Sequence, residues 1–145
     1  MTRVLVIDDE APIRLICRVN LELEGIEVLE AADGAAGLAM ALEREPDVVL
    51  LDLMLPRLDG WQVTEALLGD GRTSDIPIVF LTGRAEVRDF ARSLDIGGFG
   101  CVTKPFNPRE LAPLLLELVE QVERGERDER RGLKLAELRS LVESG

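Results

Sequence analysis

Five short apolar runs recur along the chain, and residues repeating at helical spacing separate them. The runs are Val4 to Ile7, Ile26 to Leu29, Val48 to Leu51, Pro77 to Leu81 and a weaker Cys101-Val102-Thr103. They are rich in β-branched side chains, and several lack polar alternation, as strands buried on both faces do. Between them, Pro12 suits a first helical turn, and Ile13, Ile16, Cys17 and Leu21 share one face before Gly25 ends the helix. Asp33 caps a segment whose expected buried stripe is Ala35, Leu38, Ala39 and Leu42. Asp59-Gly60 opens a third, with Val63, Ala66 and Leu67 expected inward. Val87, Phe90, Ala91 and Leu94 mark a fourth. Asn107, Pro108 and Glu110 signal the start of a fifth: a cap, a first-turn proline and an acid three residues after the cap. Strand followed by helix, five times over, predicts an α/β fold with a five-stranded parallel sheet and helices on both faces. Pro113 falls inside the fifth pattern, where it is expected to bend or restart the helix.

The 145 residues suit one domain, and 46% apolar content supplies its core. The formal net charge of −11 argues against direct contact with nucleic acid or an anionic membrane, and favours a cation or a basic partner. The chain has no histidine, which excludes His-based catalysis and His metal ligation within it. Cys17 and Cys101 lie in no metal-ligand spacing. The opening MTRVLVIDD is charged too early for a signal peptide, and no apolar stretch is long enough to cross a bilayer. A cytoplasmic protein with reduced thiols is expected.

Ligands of open α/β sheets bind at the carboxyl ends of the strands. Asp8 and Asp9 follow the first strand, Asp52 ends the third, Thr82 the fourth and Lys104 the fifth. If the first and third strands are neighbours, three carboxylates meet in one pocket and need a cation to coexist. Oxygen donors without Cys or His suit a hard ion: Mg²⁺ first, then Mn²⁺ or Ca²⁺. A carboxylate flanked by a divalent ion, a lysine and a hydroxyl can attack phosphorus and become an aspartyl phosphate. Taken singly, each residue has a plainer use. Asp8 and Asp9 suit a helix cap, Asp52 a turn, Thr82 a strand end and Lys104 a solvated surface. Their joint placement carries the reading.

"VLVIDDE", "DVVLLDLMLPRLDG", "PIVFLTG" and "CVTKPFNPREL" match, in order and spacing over roughly residues 3 to 122, the blocks of a known family. The chain resembles the receiver domain of two-component response regulators, the CheY-like family. The resemblance implies a flavodoxin-like strand order 2-1-3-4-5. It implies Asp52 as phosphoacceptor, with Asp9, Asp52 and the Met54 backbone carbonyl binding Mg²⁺ directly and Asp8 through water. It gives Lys104 a contact to the phosphoryl group and makes Thr82 the switch hydroxyl. It also implies a phosphohistidine donor on a sensor histidine kinase or histidine phosphotransfer protein, and a downstream protein target whose affinity changes on phosphorylation. Two departures stand out. Cys101 occupies the position, three before the lysine, where the family carries Tyr or Phe. "GGFG" replaces the acidic pair that helps form a common dimer face, so a homodimer through that face does not follow.

The receiver is expected to span residues 1–123. Residues 124–145 form a charged helical tail or linker with an apolar stripe at Leu135, Leu138, Leu141 and Val142, too short for a helix-turn-helix unit. Two other classes remain in play: a pseudo-receiver scaffold acting by protein contacts, and an aspartyl-phosphate hydrolase. The hydrolase would want a second aspartate two residues after Asp52, where Met54 stands. A nucleotide- or flavin-binding reading fares worse, because the turn "DDEAP" is acidic and glycine-free.

Overall fold

The computed structural model describes residues 1–83, 100–104 and 106–123, with backbone alone at 82, 83, 100, 101, 103, 104 and 123. The elements are β1 (Arg3–Ile7), α1 (Ala11–Leu23), β2 (Glu27–Ala31), α2 (Gly34–Arg44), β3 (Val48–Asp52), α3 (Gly60–Leu68), β4 (Ile78–Gly83), β5 (Gly100–Lys104) and α4 (Pro108–Glu123). The expected segment at Val87 to Leu94 and the tail from residue 124 lie outside the described residues.

The sheet is parallel throughout, in the order β2-β1-β3-β4-β5. Alternate side chains serve opposite faces, as a period of two requires. Val4, Val6, Val48, Leu50, Val79, Leu81 and Val102 pack with Cys17 and Leu21 of α1 and with Leu111, Leu115 and Leu118 of α4. Leu5, Ile7, Val49, Leu51, Ile78 and Phe80 pack with Ala41 of α2 and with Val63 and Leu67 of α3. All four apolar residues of β3 are fully buried, each worth about 1.5–3 kcal/mol of burial. That sum holds β3 in the middle of the sheet although it ends in a carboxylate. Among the described residues, no helix is long and apolar enough to cross a membrane.

Cys17, Leu21, Val63 and Leu67 are buried as expected, but parts of the helix faces differ from those expected. On α2, Ala35 and Ala39 are exposed, and Gly34, Gly37 and Ala41 are buried. A Cβ on Gly37 would strike the side chain of Ile7, and one on Gly34 the backbone carbonyl of Leu58. The inner face of α2 is therefore set by close approach of glycine backbone, which apolar periodicity does not register. Ala66 is likewise exposed, and Thr64 is buried, its hydroxyl donating to the Gly60 carbonyl oxygen at 2.8 Å. Ile16 is 40% exposed, on the outer side of α1. Pro113 does not restart the last helix, which runs unbroken from Pro108 to Glu123. Pro113 is exposed, on the outer side of the helix.

Three stops and starts follow local chemistry as expected. Gly25, at φ 78°, closes α1, with its N–H donating to the Glu22 carbonyl. Asp33 accepts from the Ala36 N–H at 2.8 Å. Asp59 and Gln62 form a reciprocal capping box at the start of α3.

Candidate functional site

β1 and β3 are neighbours, with Ile7 level with Leu51. The next residue of each strand, Asp8 and Asp52, therefore emerges at the same edge of the sheet. Asp8 is fully buried and Asp52 is 4% exposed, whereas Asp9 and Glu10 are exposed. One carboxylate oxygen from each of Asp8, Asp9, Glu10 and Asp52 lies within 4.8 Å of the others. Glu10 is the member that sequence reasoning missed. Its signal is the third acid of the run "DDE", directly after the two aspartates.

The backbone around the cluster is pinned. The Asp8 N–H donates to the Ala31 carbonyl at 3.1 Å. Asp8 Oδ1 accepts from the Glu10 N–H at 2.8 Å, and Arg14 Nη1 donates to the Asp8 carbonyl at 2.6 Å. Asp52 Oδ1 accepts from the Met54 N–H at 3.0 Å, which fixes the carboxylate against the turn that follows. The Leu53 N–H donates to the Leu81 carbonyl at 3.1 Å, and the Gly60 N–H donates to the Leu53 carbonyl at 3.2 Å. A Cβ on Gly60 would sit 2.7 Å from the Asp52 carbonyl oxygen, so glycine is what lets α3 start this close to the acid. The next residue, Trp61, stacks obliquely on Phe80, with ring centroids 5.2 Å apart at 46°.

Two ionised carboxylates at about this separation repel by roughly 3 kcal/mol at an effective dielectric constant near 20. A divalent cation removes that repulsion, and bonds of about 2.1–2.5 Å make opposite ligands stand about 4–5 Å apart. The donors are all oxygen, without sulfur or imidazole, which fits a hard ion such as Mg²⁺.

The two remaining sequence-derived positions lie on the neighbouring strands. Asp52 is level with Leu81, so Thr82 comes one residue further along β4. Lys104 closes β5 level with Gly83, two residues past Val102. Both backbones reach the same sheet edge as the acids; their side chains lie outside the described residues.

A doubly covered parallel sheet with its acids gathered at the carboxyl edge of β1 and β3 is an α/β protein with its site at the topological switch point. The sequence profile described as response regulator receiver domain matches residues 4–115. The chain is 39% identical over 124 residues to the DNA-binding dual master transcriptional regulator RpaA of Synechocystis sp., covering 86% of this chain and 52% of that protein. It is 43% identical over 112 residues to the phosphate regulon transcriptional regulatory protein PhoB of Pseudomonas aeruginosa, covering 77% and 49%. Its fold is similar to a response regulator receiver domain protein from Clostridium thermocellum, with a TM-score of 0.78, 26% identity and coverage of 85% and 98%. It is also similar to the chemotaxis protein CheY4 of Vibrio cholerae, with a TM-score of 0.75, 32% identity and coverage of 81% and 98%. The chain belongs to the response regulator receiver domain family, and so to the signalling proteins of two-component systems. It spans about half the length of the curated relatives it matches.

Proposed function

We propose that this receiver accepts a phosphoryl group on Asp52 from a phosphohistidine of a sensor histidine kinase or histidine phosphotransfer protein, and that the modification switches its affinity for a downstream protein. The observation that carries the reading is the convergence of Asp8, Asp9 and Asp52 at one sheet edge. In this reading Asp9, Asp52 and the Met54 carbonyl hold Mg²⁺, or Mn²⁺ in its place, and Asp8 holds it through water. The ion, when bound, neutralises charge on the transferring phosphoryl group. A carboxylate oxygen of Asp52 attacks phosphorus, the P–N bond of the donor breaks, and its imidazole leaves with the bonding pair. Lys104 pairs with a phosphoryl oxygen, and the Thr82 hydroxyl donates to another. Hydrolysis of the acyl phosphate restores Asp52 and releases phosphate, so the chain resets without being a turnover enzyme. The functional unit is residues 1–123, and the relay operates in the cytoplasm with no direct nucleic-acid or membrane contact. Cys101 in place of an aromatic removes the ring whose rotation would report on Thr82, so coupling runs through the loop after β4, and Cys101→Tyr is expected to strengthen activation.

The test is incubation with Mg²⁺ and acetyl phosphate or phosphoramidate, followed by intact mass. One added phosphoryl group, labile to hydroxylamine and absent in Asp52→Asn, is expected. No adduct with either donor would overturn the reading and favour a scaffold acting by contacts. Sustained turnover of phosphate esters would favour a hydrolase.

A further inference from the structure

Three of the four clustered acids sit on the turn Asp8-Asp9-Glu10, which contains no glycine. α1 follows at once, and the Glu10 side chain makes no capping bond to it. A helix start left open in this way takes its fixed geometry from groups elsewhere in the fold. Arg14 supplies one. Its Nη1 donates to the Asp8 carbonyl at 2.6 Å, and its Nε lies 3.4 Å from Oε1 of Glu30 on β2. The two side chains are 18% and 26% exposed, so water screens this pair less than one in open solvent. The other oxygen of Glu30 is held by Arg18 Nη1 at 2.5 Å, and Arg18 Nε is held by Glu22 at 2.6 Å. Arg14 and Arg18 stand one helical turn apart, which is why both reach the same carboxylate. Glu30 itself is level with Val6, two residues before Asp8.

We propose that Arg14 is a positioning residue of the acidic site: braced by Glu30, its guanidinium fixes the peptide that joins Asp8 to Asp9, and with it the direction from which both carboxylates meet a divalent cation. This role rests on the metal-binding reading of the acids given above, and it adds a residue outside the ligand set. The Asp8 N–H is committed to the Ala31 carbonyl, and Asp8 Oδ1 to the Glu10 N–H. The Arg14 bond to the Asp8 carbonyl removes the remaining freedom of the peptide plane that leads into Asp9. A rotation of that plane swings Asp9 relative to Asp52, and a metal site needs its ligands placed to within about 0.5 Å. Arginine suits the task because its planar fork serves two acceptors at once, the carbonyl through Nη1 and the carboxylate through Nε. An ammonium has no such fork. Position and charge act here with opposite sign. As a charge alone, a guanidinium beside the cluster repels Mg²⁺, and its removal would tighten binding. As a brace, its removal frees the ligands and weakens binding, by the roughly 10- to 100-fold typical of groups that orient metal ligands.

The test is calorimetric titration of the full chain with Mg²⁺ in high salt, where bare charge effects are largely screened. Arg14→Gln is expected to raise the Kd by roughly tenfold. Glu30→Gln should raise it by a smaller factor, and the double variant should bind no more weakly than Arg14→Gln alone, because Glu30 acts through Arg14. Arg14→Lys, which keeps the charge and loses the fork, should stay weaker than the unmodified chain. Circular dichroism reports whether each variant is folded. If Arg14→Gln is not, Glu30→Gln decides, and an unchanged Kd there would overturn the proposal. So would an unchanged or lower Kd in folded Arg14→Gln, full affinity in Arg14→Lys, or strictly additive losses in the double variant. An unmodified chain that takes up no Mg²⁺ would overturn the metal reading itself and this role with it. Mg²⁺ binding that is indifferent to Arg14 overturns this role alone.

Discussion

Asp70 is bound by Arg72 in two side-chain contacts, at 3.1 and 2.9 Å, and accepts from the Arg72 N–H at 2.9 Å. The side-chain hydrogen bond first, then the backbone one, lower its pKa from the ordinary 3.8 to about 2. A carboxylate depressed in the folded state favours folding above its unfolded pKa, near 4, and that contribution vanishes as pH falls through about 2. Arg72→Ala removes the side-chain contacts and keeps the backbone N–H, so it should raise the Asp70 midpoint from about 2 part of the way toward 3.8 in a carboxyl NMR titration; a midpoint still near 2 would show that the Arg72 side chain is not the cause. Gln121 poses the opposite problem. It is fully buried, and among the described residues neither its Oε1 nor its Nε2 has a hydrogen-bond partner. A buried amide without partners costs about 1–3 kcal/mol. Gln121→Leu, close in volume and apolar, should therefore raise stability by about 1 kcal/mol and the melting midpoint by about 4 °C. An unchanged or lower midpoint would mean that the amide is satisfied in solution. Asp8 and Asp52 were legible in the sequence because each ends an apolar run. Gln121 was not, since helical position alone gives no sign that a polar group lies fully buried.

At the scale of elements, what the sequence conveyed depended on which force sets the contact. β1, β3 and β4 were legible because the burial of their described side chains is nearly complete and needs only apolar residues. Termini were legible because a cap is local: Asp33, Asp59 with Gln62, and Gly25 act within a few residues. Val63 and Leu67 of α3 were legible as buried, but Thr64 of α3 and the glycine face of α2 were not, because Gly34, Gly37 and Thr64 are buried by close backbone approach and by one hydroxyl bond. Periodicity weighs side-chain greasiness, and glycine has none to weigh. Gly60 is the element-scale device nearest the site. Gly60→Ala sets a methyl group within 2.7 Å of the Asp52 carbonyl oxygen and must push α3 away from β3. A loss of about 1–3 kcal/mol is expected, with weaker Mg²⁺ binding by calorimetry. Undiminished Mg²⁺ affinity would show that the turn after β3 relaxes without moving the acid.

For the whole molecule, the strand order decides the chemistry. β1 lies between β2 and β3, so acids 44 residues apart in sequence, Asp8 and Asp52, become neighbours. Only the resemblance to a known family supplied that order in advance; the alternation of strands and helices specifies a parallel sheet but not which strands adjoin. Gathering the acids strains the metal-free protein, so saturating Mg²⁺ should raise its melting midpoint by several degrees, since a ligand at a hundredfold excess over its Kd adds about 2.7 kcal/mol. Asp8→Asn should raise the metal-free midpoint while shrinking the Mg²⁺ increment. A midpoint indifferent to millimolar Mg²⁺ would argue that the acids tolerate one another unaided. Trp61 is the chain's one tryptophan, set one residue after Gly60 and braced on Phe80. Light absorbed by the protein near 295 nm is thus re-emitted from a single indole adjoining the turn that carries Asp52, and steady-state emission alone can follow events at the sheet edge without any attached label.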